Sequence, residues 1–240
     1  MEIRPPPNKR ALAGAALVHA FTATGAVLGF MALLAASNGA WEAAFGWLGA
    51  AFIVDGVDGP MARYVDVKRV LPRFSGEDLD KIIDYLTYVT VPAYMVARGP
   101  AVPEALRLPL AAAMMMTSLY HFSDKHSKTP DGYFVGFPGN WNIVVFYCFA
   151  LAIPPGLAAI LIAACAILTF VPFRYVHPLR VRRLMPLTVG VSGVWGIAAV
   201  AAVMQGFPAS GAIQAVFALS AIYIAGLGLS ARAGNAGAEN

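Results

Sequence analysis

The chain has 240 residues, of which 59% are hydrophobic and 12% charged, and its mean hydropathy is +0.66. Soluble domains usually carry about 25% charged residues, so these figures exclude an ordinary water-soluble domain and indicate an integral membrane protein. The formal net charge of +4 suits a nucleic acid or a membrane surface, but no aromatic-basic stripe for RNA or DNA is present, and the placement of the basic residues decides between them.

The N-terminal segment Met1–Arg10 is basic and precedes an apolar run, as in a secretory leader. That run, Ala11–Ala36, is longer than the roughly 7–15 residues of a leader's apolar region and contains His19, Thr22 and Thr24, so it reads as a retained first span. Seven further apolar stretches follow: Glu42–Arg63, Asp80–Ala97, Glu104–Phe122, Asn140–Ile153, Gly156–Phe173, Leu187–Gln205 and Ser210–Leu229. A bilayer needs about 17–25 apolar residues per helix, which makes the fifth the shortest candidate. Pro154-Pro155-Gly156 makes a tight turn between the fifth and sixth. No polar linker divides the series. The expected fold is therefore all-α: a polytopic membrane helical bundle of about eight transmembrane helices forming a single domain, 1–240, with a disordered tail over 231–240.

Lys and Arg favour cytoplasmic loops. With the N-terminus inside, only Arg98 and Arg107 of the seventeen basic residues fall on the outer side. Both termini are thus expected in the cytoplasm. Gly25-xxx-Gly29 and the series Gly190, Gly193, Gly196 allow close helix approach, within the chain or in a homodimer. Cys148 and Cys165 lie in apolar runs outside any CxxC pattern, so neither a disulfide nor thiol chemistry is expected.

Against this apolar background stand Asp55-Gly-Val-Asp58-Gly59-Pro-Met-Ala62-Arg63 and Gly76-Glu-Asp-Leu-Asp80-Lys-Ile-Ile-Asp84. Carboxylates at membrane depth cost several kcal/mol unless compensated, so they mark function. On a helix Asp58 lies about 60° from Asp55, and Ala62 and Arg63 share that face. Asp80 and Asp84, four apart, also point one way. A hairpin brings the pairs face to face at the cytoplasmic side, where nucleotides are available. Several carboxylate oxygens suit hard divalent cations such as Mg²⁺, Mn²⁺ or Ca²⁺, and two ions would neutralise four acids. With no His or Cys in this stretch, zinc is not expected. Two metals near a pyrophosphate support phosphoryl transfer. Gly56, Gly59, Gly76 and Ala62 keep the face open to a ligand, and Arg63 offers a fork for a phosphate. Asp66, Glu77 and Asp78 read as solvated loop or cap charges.

These residues carry a resemblance. Asp55, Asp58, Gly59, Ala62, Arg63, Gly76, Asp80 and Asp84 satisfy every fixed letter of DxxDGxxARx(n)GxxxDxxxD, and the chain resembles the CDP-alcohol phosphotransferases. Most of that family has eight residues between the arginine and the next glycine; here there are twelve. The longer spacing, the eight spans and Gly56 are similar to the bacterial phosphatidylcholine synthase branch. The stretches His19-Ala-Phe-Thr22, Phe137-Pro-Gly-Asn140-Trp141-Asn142 and Val171-Pro-Phe-Arg174-Tyr-Val-His177-Pro resemble it with lower specificity.

The resemblance implies transfer of a phosphatidyl group from CDP-diacylglycerol to choline, releasing CMP, at the bacterial inner membrane. It implies Mn²⁺ or Mg²⁺, as two ions, on Asp55, Asp58, Asp80 and Asp84. Asp58, Gly59, Ala62, Arg63 and Gly76 would shape the CDP site, and Asp84 would also serve as general base. Choline's quaternary ammonium suits aromatic faces; the candidates are Tyr88, Tyr120, Trp141 and Tyr147, which are equally explained as interfacial aromatics. His121 and His126 read as solvated residues of the loop Ser123–Gly139, and Asn140 as a helix cap or ligand contact. Arg174, Arg180, Arg182 and Arg183 fit either membrane topology or a phosphate site. Serine or another alcohol is the alternative acceptor, and a divalent-cation transporter is a remote alternative, disfavoured because the acids cluster at one face.

Overall fold

The computed structural model describes residues 7–129, 133–175 and 184–236. The chain forms two compact units that meet in sequence between Thr87 and Tyr88. Among the described residues the fold is helical apart from two two-residue strands.

The first unit opens with α1, Lys9–Ser37, whose first turn is capped by the Asn8 side chain accepting from the Ala11 N–H. After a tight turn α2 runs over Trp41–Tyr64 in extensive contact with α1. Leu17, Val27 and Phe30 on α1 and Ile53 on α2 are more than half exposed, an arrangement suited to lipid rather than water. The residues between Arg63 and Gly76 hold a short helix, α3 (Val67–Val70), introduced by Asp66 in the left-handed region. Val67 and Val70 are buried against Ala15 and Val18 of α1, so the longer spacer folds back as packed structure.

Helix α4, Gly76–Asp84, starts where Ser75 accepts from the Asp78 N–H, a cap that places its start before the Asp80 boundary expected from apolarity. The helical path continues through a π segment, Tyr85–Thr90, into α5, Val91–Arg98. A Cβ added at Gly25 would sit 2.8 Å from Ile83 Cγ2, and one at Gly29 would sit 2.9 Å from Leu86 Cδ2. Gly25-xxx-Gly29 is therefore used inside the first unit, to seat α1 on the helix carrying Asp80 and Asp84.

The second unit continues from the π segment and α5 with α6 (Glu104–Ser123), β1 (Phe134–Val135), α7 (Trp141–Ala150), α8 (Pro155–Leu168), β2 (Arg174–Tyr175), α9 (Met185–Gln205) and α10 (Gly211–Ala236). β1 and β2 pair antiparallel, Phe134 opposite Tyr175. Its core is aromatic: Trp141 and Phe217 are fully buried, and Phe146 meets Trp195, Phe207 and Phe217 edge to face. Cys148 and Cys165 are buried in this unit.

Several expected boundaries move. α7 has 10 residues and α8 has 14, shorter than Asn140–Ile153 and Gly156–Phe173; α7 ends at Ala150, ahead of Ala152 in the left-handed region, and α8 ends at Leu168. α10 runs past Leu229 to Ala236, which makes the first part of the expected tail 231–240 helical. His121 corrects its loop assignment: it lies in the last turn of α6 and is only 6% exposed, against Phe122 and Phe134, whereas His126 is solvent-exposed. Asn140 occupies the N-cap position of α7 without a side-chain capping bond. Arg180, Arg182, Arg183 and His177 lie outside the described residues.

Among the described residues two helices, α1 and α9, are long and apolar enough to cross a membrane by length and composition. α2, with 24 residues, is of similar length but carries Glu42, Asp55, Asp58 and Arg63.

Candidate active site

The site is assembled within the first unit. α2 delivers Asp55, Asp58 and Arg63 from its last three turns, and α4 delivers Asp80 and Asp84 one turn apart. Carboxylate oxygens of Asp55, Asp80 and Asp84 all lie within 4.8 Å of one another, and all three residues are half-buried. Asp58 is not in that trio. It is buried, interacts with the Thr22 hydroxyl of α1 and the Gly59 backbone, and lines the same small pocket as Thr22, Gly25, Asp55, Asp80 and Asp84.

Two unit negative charges 4.8 Å apart repel by roughly 3 kcal/mol at an effective dielectric constant of about 20, and three mutually close carboxylates multiply that cost. A divalent cation removes it. Ca²⁺ and Mg²⁺ take carboxylate oxygens at about 2.0–2.6 Å, so oxygens no more than 4.8 Å apart are within the span of one ion. The all-oxygen donor set fits a hard cation.

The nucleotide-site candidates surround this trio. A Cβ at Gly59 would lie 3.4 Å from an Arg63 guanidinium nitrogen, so the arginine folds back over the glycine. A Cβ at Gly76 would lie 3.2 Å from His19 Cε1. Ala62 packs partly buried at the edge of the cluster formed by Ala15, Val18, Val67 and Val70. The neighbouring charges are disposed differently: Glu77 pairs with Lys68, and Arg69 donates to Asp66 at 2.6 Å. Lys68, and more weakly Lys81, hold the Glu77 carboxyl below its ordinary value.

The four aromatic candidates do not share one environment. Tyr88 is buried in the π segment. Tyr120 is 55% exposed, its ring 4.8 Å from that of Phe170. Trp141 is fully buried and donates its indole N–H to Ser118 Oγ at 2.7 Å. The Tyr147 hydroxyl donates to the Phe217 carbonyl and accepts from the Trp195 indole N–H. Trp141 and Tyr147 thus have their polar atoms engaged within the second unit's core.

Thr22 of α1 lines the pocket and His19 of α1 lies beside Gly76, placements that motif spacing does not identify. The available signals were their polarity inside an otherwise apolar first span and the His19-Ala-Phe-Thr22 resemblance.

Half-buried Asp55, Asp80 and Asp84 and buried Asp58 converge from two helical stretches on one small pocket, an all-oxygen set of the kind that holds hard divalent cations and serves phosphoryl transfer. The sequence matches the CDP-alcohol phosphatidyltransferase family over residues 15–171. It is 46% identical over 196 residues to the phosphatidylcholine synthase of Bradyrhizobium diazoefficiens, covering 81% of this chain and 72% of that one. Identity to the phosphatidylcholine synthase of Rhizobium meliloti is 40% over 190 residues, covering 79% of each chain. That of Pseudomonas aeruginosa is 41% identical over 188 residues, covering 78% of this chain and 79% of its own. The chain belongs to the CDP-alcohol phosphatidyltransferase family.

Proposed function

We propose that this protein is a phosphatidyltransferase that moves the phosphatidyl group of CDP-diacylglycerol to the hydroxyl of choline, giving phosphatidylcholine and CMP. The carrying observation is the convergence of Asp55, Asp80 and Asp84 within 4.8 Å, in a chain 46% identical to a phosphatidylcholine synthase. The reading places the enzyme in a bacterial inner membrane as a bundle of about eight spans, termini and site on the cytoplasmic side, and as a homodimer.

Asp55, Asp80 and Asp84 would hold divalent cations, Mn²⁺ or Mg²⁺, with Asp58 completing a set for two ions. Bound there, such ions neutralise the pyrophosphate and stabilise the departing phosphate oxygen. Arg63 holds a phosphate oxygen through its planar guanidinium, and Gly59, Ala62 and Gly76 leave room for the CDP backbone. The choline oxygen attacks the phosphorus that carries diacylglycerol. The bond from that phosphorus to the bridging oxygen breaks, CMP leaves with the electron pair, and the choline proton passes to an Asp84 oxygen. A positioned base of this kind contributes about 10²- to 10⁴-fold.

The quaternary ammonium takes aromatic faces from among Tyr88, Tyr120, Trp141 and Tyr147. Tyr88, four residues beyond Asp84 in the same helical stretch, is the first to test. Incubating purified protein with CDP-diacylglycerol, Mn²⁺ and labelled choline or serine separately tests the acceptor. Choline incorporation with stoichiometric CMP release is expected, and serine incorporation instead would overturn the choline assignment.

A further inference from the structure

We propose that His19 contacts the nucleotide half of the lipid substrate through its imidazole Nε2. That nitrogen is buried and has no hydrogen-bond partner, and a buried polar group left unpaired is costly enough to call for a ligand that completes it. Its surroundings locate that ligand. His19 stands three residues before Thr22 on α1, about 60° around the helix, and Thr22 lines the carboxylate pocket together with Asp58. On its other side the imidazole lies against the Gly76 backbone, where a Cβ would come within 3.2 Å of Cε1. Its edge meets Phe74, ring centroids 6.4 Å apart.

Phe74 belongs to the long spacer, is 60% exposed, and has the Arg73 guanidinium 5.9 Å from its ring centroid. His19 therefore stands beside Gly76 and the Phe74 and Arg73 rim, three residues along α1 from pocket-lining Thr22. Of the reaction's components, acyl chains and a trimethylammonium group make no hydrogen bond to an imidazole nitrogen. The phosphate oxygens and the ribose and base of the nucleotide do; the glycerol ester carbonyls and the choline hydroxyl can as well, but the exposed Phe74 and Arg73 rim beside His19 suits the polar nucleotide, and KM for choline separates the acceptor. Gly76 gains a second reason to lack a side chain: it leaves the imidazole room beside the backbone.

This inference rests on the phosphatidyltransfer reading, so the test separates the two. CMP binding is measured by calorimetry with Mn²⁺ present, in wild type, His19→Phe and His19→Ala proteins of checked thermal midpoint. Loss of the hydrogen bond is expected to weaken CMP about tenfold in both variants, to raise KM for CDP-diacylglycerol and to leave KM for choline unchanged. His19→Gln, which keeps a polar hydrogen in reach, is expected to recover part of the loss. Cytidine run in parallel assigns the contact: a loss confined to CMP points to phosphate, and a loss shared by cytidine points to the nucleoside. CMP affinity within twofold of wild type in a folded His19→Phe or His19→Ala protein overturns the inference and leaves the proposed function standing. A wild-type protein that binds no CMP with Mn²⁺ overturns both.

Discussion

Two sets of acids share the short stretch from Asp55 to Asp84 and behave oppositely. Asp66 and Glu77 lie on the exposed rim and pair with Arg69 and Lys68, while Asp78 sits in the first turn of α4. Asp55, Asp80 and Asp84 turn inward and crowd one another, with buried Asp58 beside them. Both sets are carboxylates. What differs is position: Asp66 and Glu77 pair with basic side chains at the exposed rim, whereas Asp55, Asp80 and Asp84 bring carboxylate oxygens within 4.8 Å of one another, a spacing one divalent cation can span.

The comparison is tested most severely at the pocket. Asp80→Asn removes one ligand charge while keeping volume, and turnover is expected to fall by more than about 100-fold, beyond the effect of losing a supporting residue around a metal ligand, as read by CMP release. Asp84→Asn is expected to lower kcat by about 10²- to 10⁴-fold while the variant still binds Mn²⁺. Activity near wild type would remove its role as base.

Seating of the two helices comes next. Gly25→Ala would press a methyl 2.8 Å from Ile83 Cγ2. Overpacking of this kind costs about 1–3 kcal/mol, visible as a lower thermal midpoint together with weaker Mn²⁺ binding. A variant with wild-type stability and wild-type metal affinity would show that close helix approach does not set the carboxylate spacing.

The rim supplies the small effect. Glu77→Gln or Lys68→Ala is expected to change stability by less than about 1 kcal/mol and turnover by less than twofold. Because Lys68 holds the Glu77 carboxyl below its ordinary 4.5, the pair's contribution is complete above that value and is lost as pH falls through the lower folded one. A wild-type-minus-Glu77→Gln stability difference that grew on acidification would contradict this sign.

Much of the pocket was legible because its information is local. Asp55 with Asp58, and Asp80 with Asp84, declare a shared face by spacing alone, and the apolar runs on either side announce helices. His19 and Thr22 stand out in the sequence through the His19-Ala-Phe-Thr22 resemblance, but their placement does not, since which residues of α1 meet α2 and α4 depends on packing, not on a local period. The start of α4 had a signal in Ser75 preceding Gly76-Glu77-Asp78, which apolarity counting passed over. The π segment Tyr85–Thr90 leaves no periodic trace in six residues. His121 was misassigned because the polar run that follows it resembles a loop, although α6 carries it inward.

The most direct test of the central claim is Mn²⁺ titration into metal-stripped wild type and Asp80→Asn protein, followed by calorimetry. Saturable Mn²⁺ binding by wild type, lost or greatly weakened in the variant, is the predicted result. Equal Mn²⁺ binding by the two proteins, or none by wild type, would contradict the assignment of this pocket as the metal centre.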